Sequence, residues 1–247
     1  MATLVAGAFF AGLIDSMAGG GGLISLPLLF ACGVPPHLAL GTNKVQSFSG
    51  TLFSTWRYLK SGHMYLPIAV LGAVGSLIGS YTGARAVLKI PADKLTVIIL
   101  PLIVIVAIIT FTRRDFGRDS HFVADRSVAS NLKALAIGTA IGFYDGFFGP
   151  GTGTFLAFSF VFFLGFNFVQ GTANAKLSNL ASNFAAIVAF AFTRNIAWAV
   201  ALPMAAANIC GNLVGSNLAI KRGSVVIKPV FALVLVGIFS KLVLDYL

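Results

Sequence analysis

Apolar residues run in blocks along this chain, and glycine, proline, lysine and arginine punctuate them. Ten blocks can be marked: 2–14, 23–34, 45–59, 64–88 and 94–111, then 132–144, 152–166, 176–192, 196–220 and 227–246. Blocks such as 64–88 and 94–111 are continuously apolar or small, without the in-and-out alternation of a lipid-facing strand. The pattern predicts helices, which satisfy every backbone group within themselves. The fold class expected is an all-α integral membrane protein. A full crossing needs about 20 apolar residues. The first two blocks of each five fall short and are separated by glycines, so they read as half-helices, forming either a re-entrant hairpin or one broken helix. The remaining three of each five can span.

The two sets of five resemble each other. Gly12-Leu13-Ile14-Asp15, then Gly19, corresponds to Gly142-Phe143-Tyr144-Asp145, then Gly149, at an offset of 130. From there the offset is 132: Gly33 matches Gly165, Lys44 matches Lys176, Gly79 matches Gly211, Gly83 matches Gly215 and Lys89 matches Lys221. An internal duplication is the usual origin of secondary-transporter folds. The organisation expected is a first membrane repeat at 1–111, a cytoplasmic linker at 112–131 and a second repeat at 132–247. A hairpin at the start of each half makes the repeats inverted; a broken helix makes them parallel. With the linker inside, the inverted arrangement places ten basic residues in the cytoplasm and five outside, the parallel one nine and six, so basic-loop bias favours inversion slightly. An even number of crossings follows, with both termini extracytoplasmic.

Composition strengthens the membrane reading. Charged residues make up 10% of the 247 positions and hydrophobic ones 57%, against roughly 25% and 45–50% for soluble domains. The net charge of +10 comes from basic residues in the gaps between blocks, as expected for membrane-protein loops, and does not point to nucleic acid. All seven acidic residues are aspartates. Cys32 and Cys210 read as small buried core residues.

The chemistry concentrates in three places. The run Asp15-Ser16-Met17-Ala18-Gly19-Gly20-Gly21-Gly22 and its counterpart around Gly149, Gly151, Thr152 and Gly153 break a helix and start another. A half-helix start offers backbone donors and a positive dipole end to an anion; tight packing of small residues is the competing reading, and fits Gly75, Gly79 and Gly83 well. The second place is Gly41-Thr42-Asn43-Lys44-Val45-Gln46-Ser47, paired with Ala173-Asn174-Ala175-Lys176-Leu177-Ser178-Asn179, each opening a long block. One lysine there could simply snorkel to the interface. Two at equivalent repeat positions, flanked by amides and hydroxyls, point to an anion site. The substrate-binding candidates are therefore Lys44, Lys176, Asn43, Gln46, Asn174 and Asn179 with Gly20, Gly21, Gly22, Gly151, Thr152 and Gly153. Third, Asp15 and Asp145 either carry a coupling proton, pair with a lysine, or cap the helix at the break.

His37, His63 and His121 fit no metal spacing, and the sequence holds no phosphate-binding loop, nucleophile elbow or zinc-protease motif, so neither enzyme nor cofactor is expected. The segment "AGLIDSMAGGGGLISLPLLFACGVPPHLALGTNKVQS", with "GFYDGFFGPGTGTF" and "GTANAKLSNLASN", resembles the sulfite exporter TauE/SafE family, and within it the YfcA-like branch. The likeness spans essentially the whole chain, although the first helix is short for the family. It implies two related halves, seven or eight spans, and transport of sulfite, organosulfonates or related sulfur or carboxylate anions across the bacterial inner membrane. The alternatives are an anion-selective channel and a carrier of small carboxylates. Expected partners are a small anionic solute and the lipid bilayer, with a homodimer left open.

Overall fold

The computed structural model describes residues 1–95, 97–99, 101 and 127–222. The last block of each half and the 112–131 linker lie wholly or largely outside the described residues. Eight helices are bounded among the described residues: α1 (Ala2–Ala18), α2 (Gly22–Ala31), α3 (Pro36–Lys60), α4 (Leu66–Val87), α5 (Val128–Phe147), α6 (Thr152–Leu164), α7 (Phe168–Phe192) and α8 (Trp198–Arg222). Among the described residues there is no strand. Among the described residues, three helices are long and apolar enough to cross a membrane, at Leu66–Val87, Phe168–Phe192 and Trp198–Lys221.

Several helices start earlier than hydropathy suggests. α3 begins at Pro36 rather than near residue 45, because Pro35-Pro36 presets the first turn and the polar run that follows is helical. α7 begins at Phe168 rather than 176, under a capping box formed by Asn167 and Gln170. α5 begins at Val128, capped by the Ser127 hydroxyl, and runs 20 residues, so it is not short as expected. α1 likewise continues to Ala18, ending where Gly19 turns left-handed with φ 78°. Among the described helices, only α2 and α6 are half-length, at 10 and 13 residues.

In each half the second helix runs back along the first. A Cβ on Gly7 would collide with Leu28, and one on Gly21 with the Ala11 carbonyl and Asp15. In the second half the Tyr144 and Phe155 rings meet edge-on at 5.4 Å, and the Lys133 ammonium donates to the Phe163 carbonyl. Both breaks are therefore hairpin turns rather than kinks in one continuous helix.

The halves interlock. α4 lies beside α5 in parallel register, Gly72 against Gly138, Ser76 against Gly142 and Ser80 against Gly146. α8 packs against α1 the same way, with Gly211 on Phe9 and Gly215 on Leu13. Absent side chains let these backbones touch, the packing reading given above for Gly75, Gly79 and Gly83. α3 and α7 cross in opposite directions: Gly41 meets Phe190, Phe48 meets Phe184, and the Thr55 hydroxyl donates to the Lys176 carbonyl. The likeness of the halves extends to backbone that the residue types do not preserve. Gly62 and Arg194, 132 positions apart, both end a long helix with positive φ, at 75° and 58°.

The outer faces of the bundle carry Leu66, Val70, Ile78, Phe162, Phe184 and Leu202, a surface suited to hydrocarbon. Contrary to expectation, Cys32 and Cys210 are also on the outside. A thiol behaves as a small apolar group, so a surface that meets lipid admits it as readily as a core does.

Candidate functional site

Lys44 and Lys176 are each the ninth residue of a 25-residue helix, α3 and α7. They do not open those helices, as the sequence had suggested. At about 1.5 Å per residue, each lies about 12 Å from its helix start. Both are 1% exposed. In the surrounding polar runs Thr42, Asn43, Asn174 and Asn179 find partners inside the protein, whereas the buried Thr172 and Ser178 hydroxyls have none among the described residues.

Each lysine reaches into the other half. The Lys44 ammonium lies 2.8 Å from Asp145 Oδ1 and donates also to the Asp145 carbonyl. The Lys176 ammonium lies 3.0 Å from Asp15 Oδ2 and donates also to the Asp15 carbonyl. Two crossed ion pairs thus tie the long helix of each half to the break of the other. Hydroxyls complete the carboxylate shells: Thr51 donates to Asp15 at 3.2 Å and Ser182 to Asp145 at 2.6 Å. Neither α2 nor α6 has a side-chain cap, and the aspartates are turned toward the lysines. Tyrosines hold the breaks in place, Tyr58 donating to the Ser16 carbonyl and Tyr144 to the Pro150 carbonyl.

The two hairpin tips touch. A Cβ on Gly19 would sit 2.2 Å from the Gly153 backbone, and one on Gly22 3.1 Å from Pro150. Beside this contact is a small polar cavity with room for about one water molecule. Of the expected site residues, Asp15, Gly22, Asn43, Lys44, Asp145, Thr152, Gly153 and Asn179 line it. Lys176 reaches it only through Asp15.

The others are placed elsewhere. The Gly20 and Gly21 carbonyls accept from Leu23, Ile24 and Ser25, and the Gly151 carbonyl accepts from Phe155, so these glycines form the helix starts. Asn174 accepts from the Tyr65 amide and donates to the Gln170 carbonyl, fastening α7 to the start of α4. Gln46 donates to Asn43 from a fully buried position. Sequence reasoning missed Gly19, Ser47, Gly149 and Asn183, which complete the lining. For Gly19 and Gly149 the signal was present, as both belong to the repeated Asp-to-Gly spacing. Ser47 matches Asn179 at the 132 offset, but a serine in a run of polar residues carries no sign of its own.

Among the described residues no group of three or more histidine, cysteine or acidic side chains could hold a metal. Arranged in this way, the site can do one thing well. It keeps two ammonium groups deep in an apolar bundle by neutralising them with carboxylates that another anion could replace.

A family model described as "Sulfite exporter TauE/SafE" matches residues 4–242. The chain is 36% identical over 250 residues to the probable membrane transporter protein ORF9 of Sinorhizobium sp, covering 99% of this chain and 93% of that one. It is 34% identical over 238 residues to the probable membrane transporter protein YfcA of Escherichia coli K12, covering 96% and 87%. A probable membrane transporter protein of Haemophilus influenzae is 31% identical over 245 residues, covering 99% and 95%. No solved structure matches the chain.

Proposed function

Because this chain belongs to the sulfite exporter TauE/SafE family and is a membrane transporter rather than an enzyme, we propose that it carries small, sulfur-containing anions across the bacterial inner membrane and binds them at the crossed lysine–aspartate pairs. One observation carries this reading: Lys44 and Lys176, both buried, each find their carboxylate partner across in the other half. A lysine at the centre of a helix costs about 2.5–3.5 kcal/mol to insert even on the lenient scale, so such groups persist where they have a task. An incoming oxyanion would take over the ammonium from Asp145 or Asp15. The released carboxylate would then be free to accept a proton, which couples anion movement to the proton gradient.

The repeats are inverted in this reading. Support comes from α3 and α7 crossing in opposite directions through equivalent positions, and from the hairpin form of both breaks. Arg57, Lys60, Lys133, Lys221 and Arg222 then gather at one end, the cytoplasmic one. Room for only about one water fits a closed carrier better than an open channel. Proteoliposomes test the proposal. Sulfite or taurine uptake should saturate, exchange, and increase with an imposed proton gradient; unsaturable conductance would make the protein a channel, and uptake of acetate alone would make it a carboxylate carrier.

A further inference from the structure

The two crossed ion pairs occupy equivalent repeat positions, yet the cavity treats them differently. Equivalent residues line it from both halves at Asp15 and Asp145, Gly19 and Gly149, Gly22 and Thr152, and Ser47 and Asn179. The correspondence fails at the lysines. Lys44 and its neighbour Asn43 line the cavity, whereas Lys176 and Ala175, 132 positions on, do not. Ala175 is instead buried in an apolar cluster with Leu156, Ala157 and Phe160. The ammonium surroundings follow the same division. A Cβ on Gly149 would lie 2.7 Å from Lys44 Nζ, so the second break is open where that ammonium sits. A Cβ on the equivalent Gly19 would meet the Gly153 and Thr154 backbone instead. At the first break, Asp15 Oδ2 takes both Lys176 at 3.0 Å and the Thr51 hydroxyl at 3.2 Å, and it is Asp15 that the cavity receives. An anion in the cavity therefore meets the Lys44 ammonium in the wall. In front of Lys176 it meets a carboxylate of its own sign.

We infer that the duplicated ion pairs have divided their work: Lys44 alone receives the anion, exchanging Asp145 for it, while Lys176 keeps Asp15 and clasps the two halves together. This rests on the lysine site proposed above and narrows it to one ammonium per chain. Asp15 stays in the cavity wall, so a bound anion still faces a carboxylate after Asp145 has let go. Like charges repel strongly where little water separates them. The site therefore holds one anionic group at a time, on Lys44, rather than one on each lysine.

Charge-neutral double variants provide the test, because removing both partners of a buried ion pair avoids stranding one of them. Sulfite is titrated calorimetrically into purified full-length protein, and the unfolding midpoint shows whether each variant is folded. Lys176→Gln with Asp15→Asn should bind sulfite within about threefold of the wild type, whereas Lys44→Gln with Asp145→Asn should bind it at least tenfold more weakly. At least tenfold weakening in both doubles would keep the lysine site and overturn the division of work. Weakening confined to the Lys176 double would overturn it as well. Wild-type affinity in both would overturn the lysine site, and this inference with it. Lys44→Arg and Lys176→Arg cover the case of a double variant that does not fold, since each keeps its pair charged. The bulkier guanidinium of Lys44→Arg should fill the cavity and weaken sulfite at least tenfold; that of Lys176→Arg, behind Asp15, should leave the affinity within about threefold. Equal effects of the two arginines, or two sulfites bound per wild-type chain, would overturn the inference.

Discussion

At the scale of single residues, the site depends on four charges that meet in pairs. Lys44 and Asp145 are within hydrogen-bond distance and almost fully enclosed, so neither can lose its partner cheaply. Breaking a buried pair from one side costs about 3–5 kcal/mol, whereas replacing both partners by neutral groups can be close to neutral. Lys44→Gln should therefore lower the unfolding temperature in detergent, and Lys44→Gln with Asp145→Asn should recover most of it. Anion binding should fall at least tenfold, about 1.4 kcal/mol, in both. A double variant that regains stability and still binds sulfite normally would reduce the lysines to structural anchors. The aspartates make a separate expectation. Asp145→Asn and Asp15→Asn should keep anion exchange but lose accumulation driven by a pH gradient, as measured by radiolabelled flux.

The lysines and aspartates were legible in the sequence because duplication marked them twice. Which aspartate meets which lysine was not, since the pairing crosses between halves and 101 or 161 positions separate the partners. Thr51, Ser182, Tyr58 and Tyr144 were illegible for a different reason: a hydroxyl on a helix carries no sign of its role until its neighbours are placed.

At the scale of helices, glycines let two pairs of backbones touch, α4 on α5 and α1 on α8. A Cβ on Gly79 would lie 2.1 Å from the Thr139 carbonyl, which belongs to rigid backbone and cannot move aside. Gly79→Ala should push α4 from α5 and cost about 1–3 kcal/mol, the usual range for overpacking. Ile78 is next to it but more than half exposed on the outer face. Ile78→Ala should change stability by less than about 0.5 kcal/mol, as surface substitutions do. Comparing the two unfolding midpoints checks the expectation; equal losses would mean that α4 and α5 are not tightly seated. The small-residue spacing made these contacts readable in advance. Helix starts were less readable, because hydropathy registers Thr42, Asn43 and Lys44 as polar and cannot see that each has a buried partner.

At the scale of the whole molecule, the proposed inversion has a direct test. Ser61 and Thr193 sit at equivalent positions in the two halves, in the turns after α3 and α7. With exposed Cys32 and Cys210 first replaced by alanine, Ser61→Cys and Thr193→Cys should react with an impermeant thiol reagent from opposite sides of the membrane. In intact cells only the Thr193→Cys protein should be labelled from outside. Labelling of both from one side would require parallel halves.

The crossed ion pairs also bear on how the protein is made. The first half leaves the ribosome with Lys44 and Asp15 in its membrane segments and with neither of their partners yet synthesised. Until the second half is inserted, both groups lack compensation in lipid, and the first half should remain near the insertion machinery or be cleared by quality control. Expressed alone, it should be short-lived. Supplied as two separate chains divided within residues 112–126, the halves should protect each other from degradation, and Lys176→Gln in one chain should shorten the lifetime of the other. The crossed pairs would thus let charge check assembly, since each half supplies the counter-ion the other lacks.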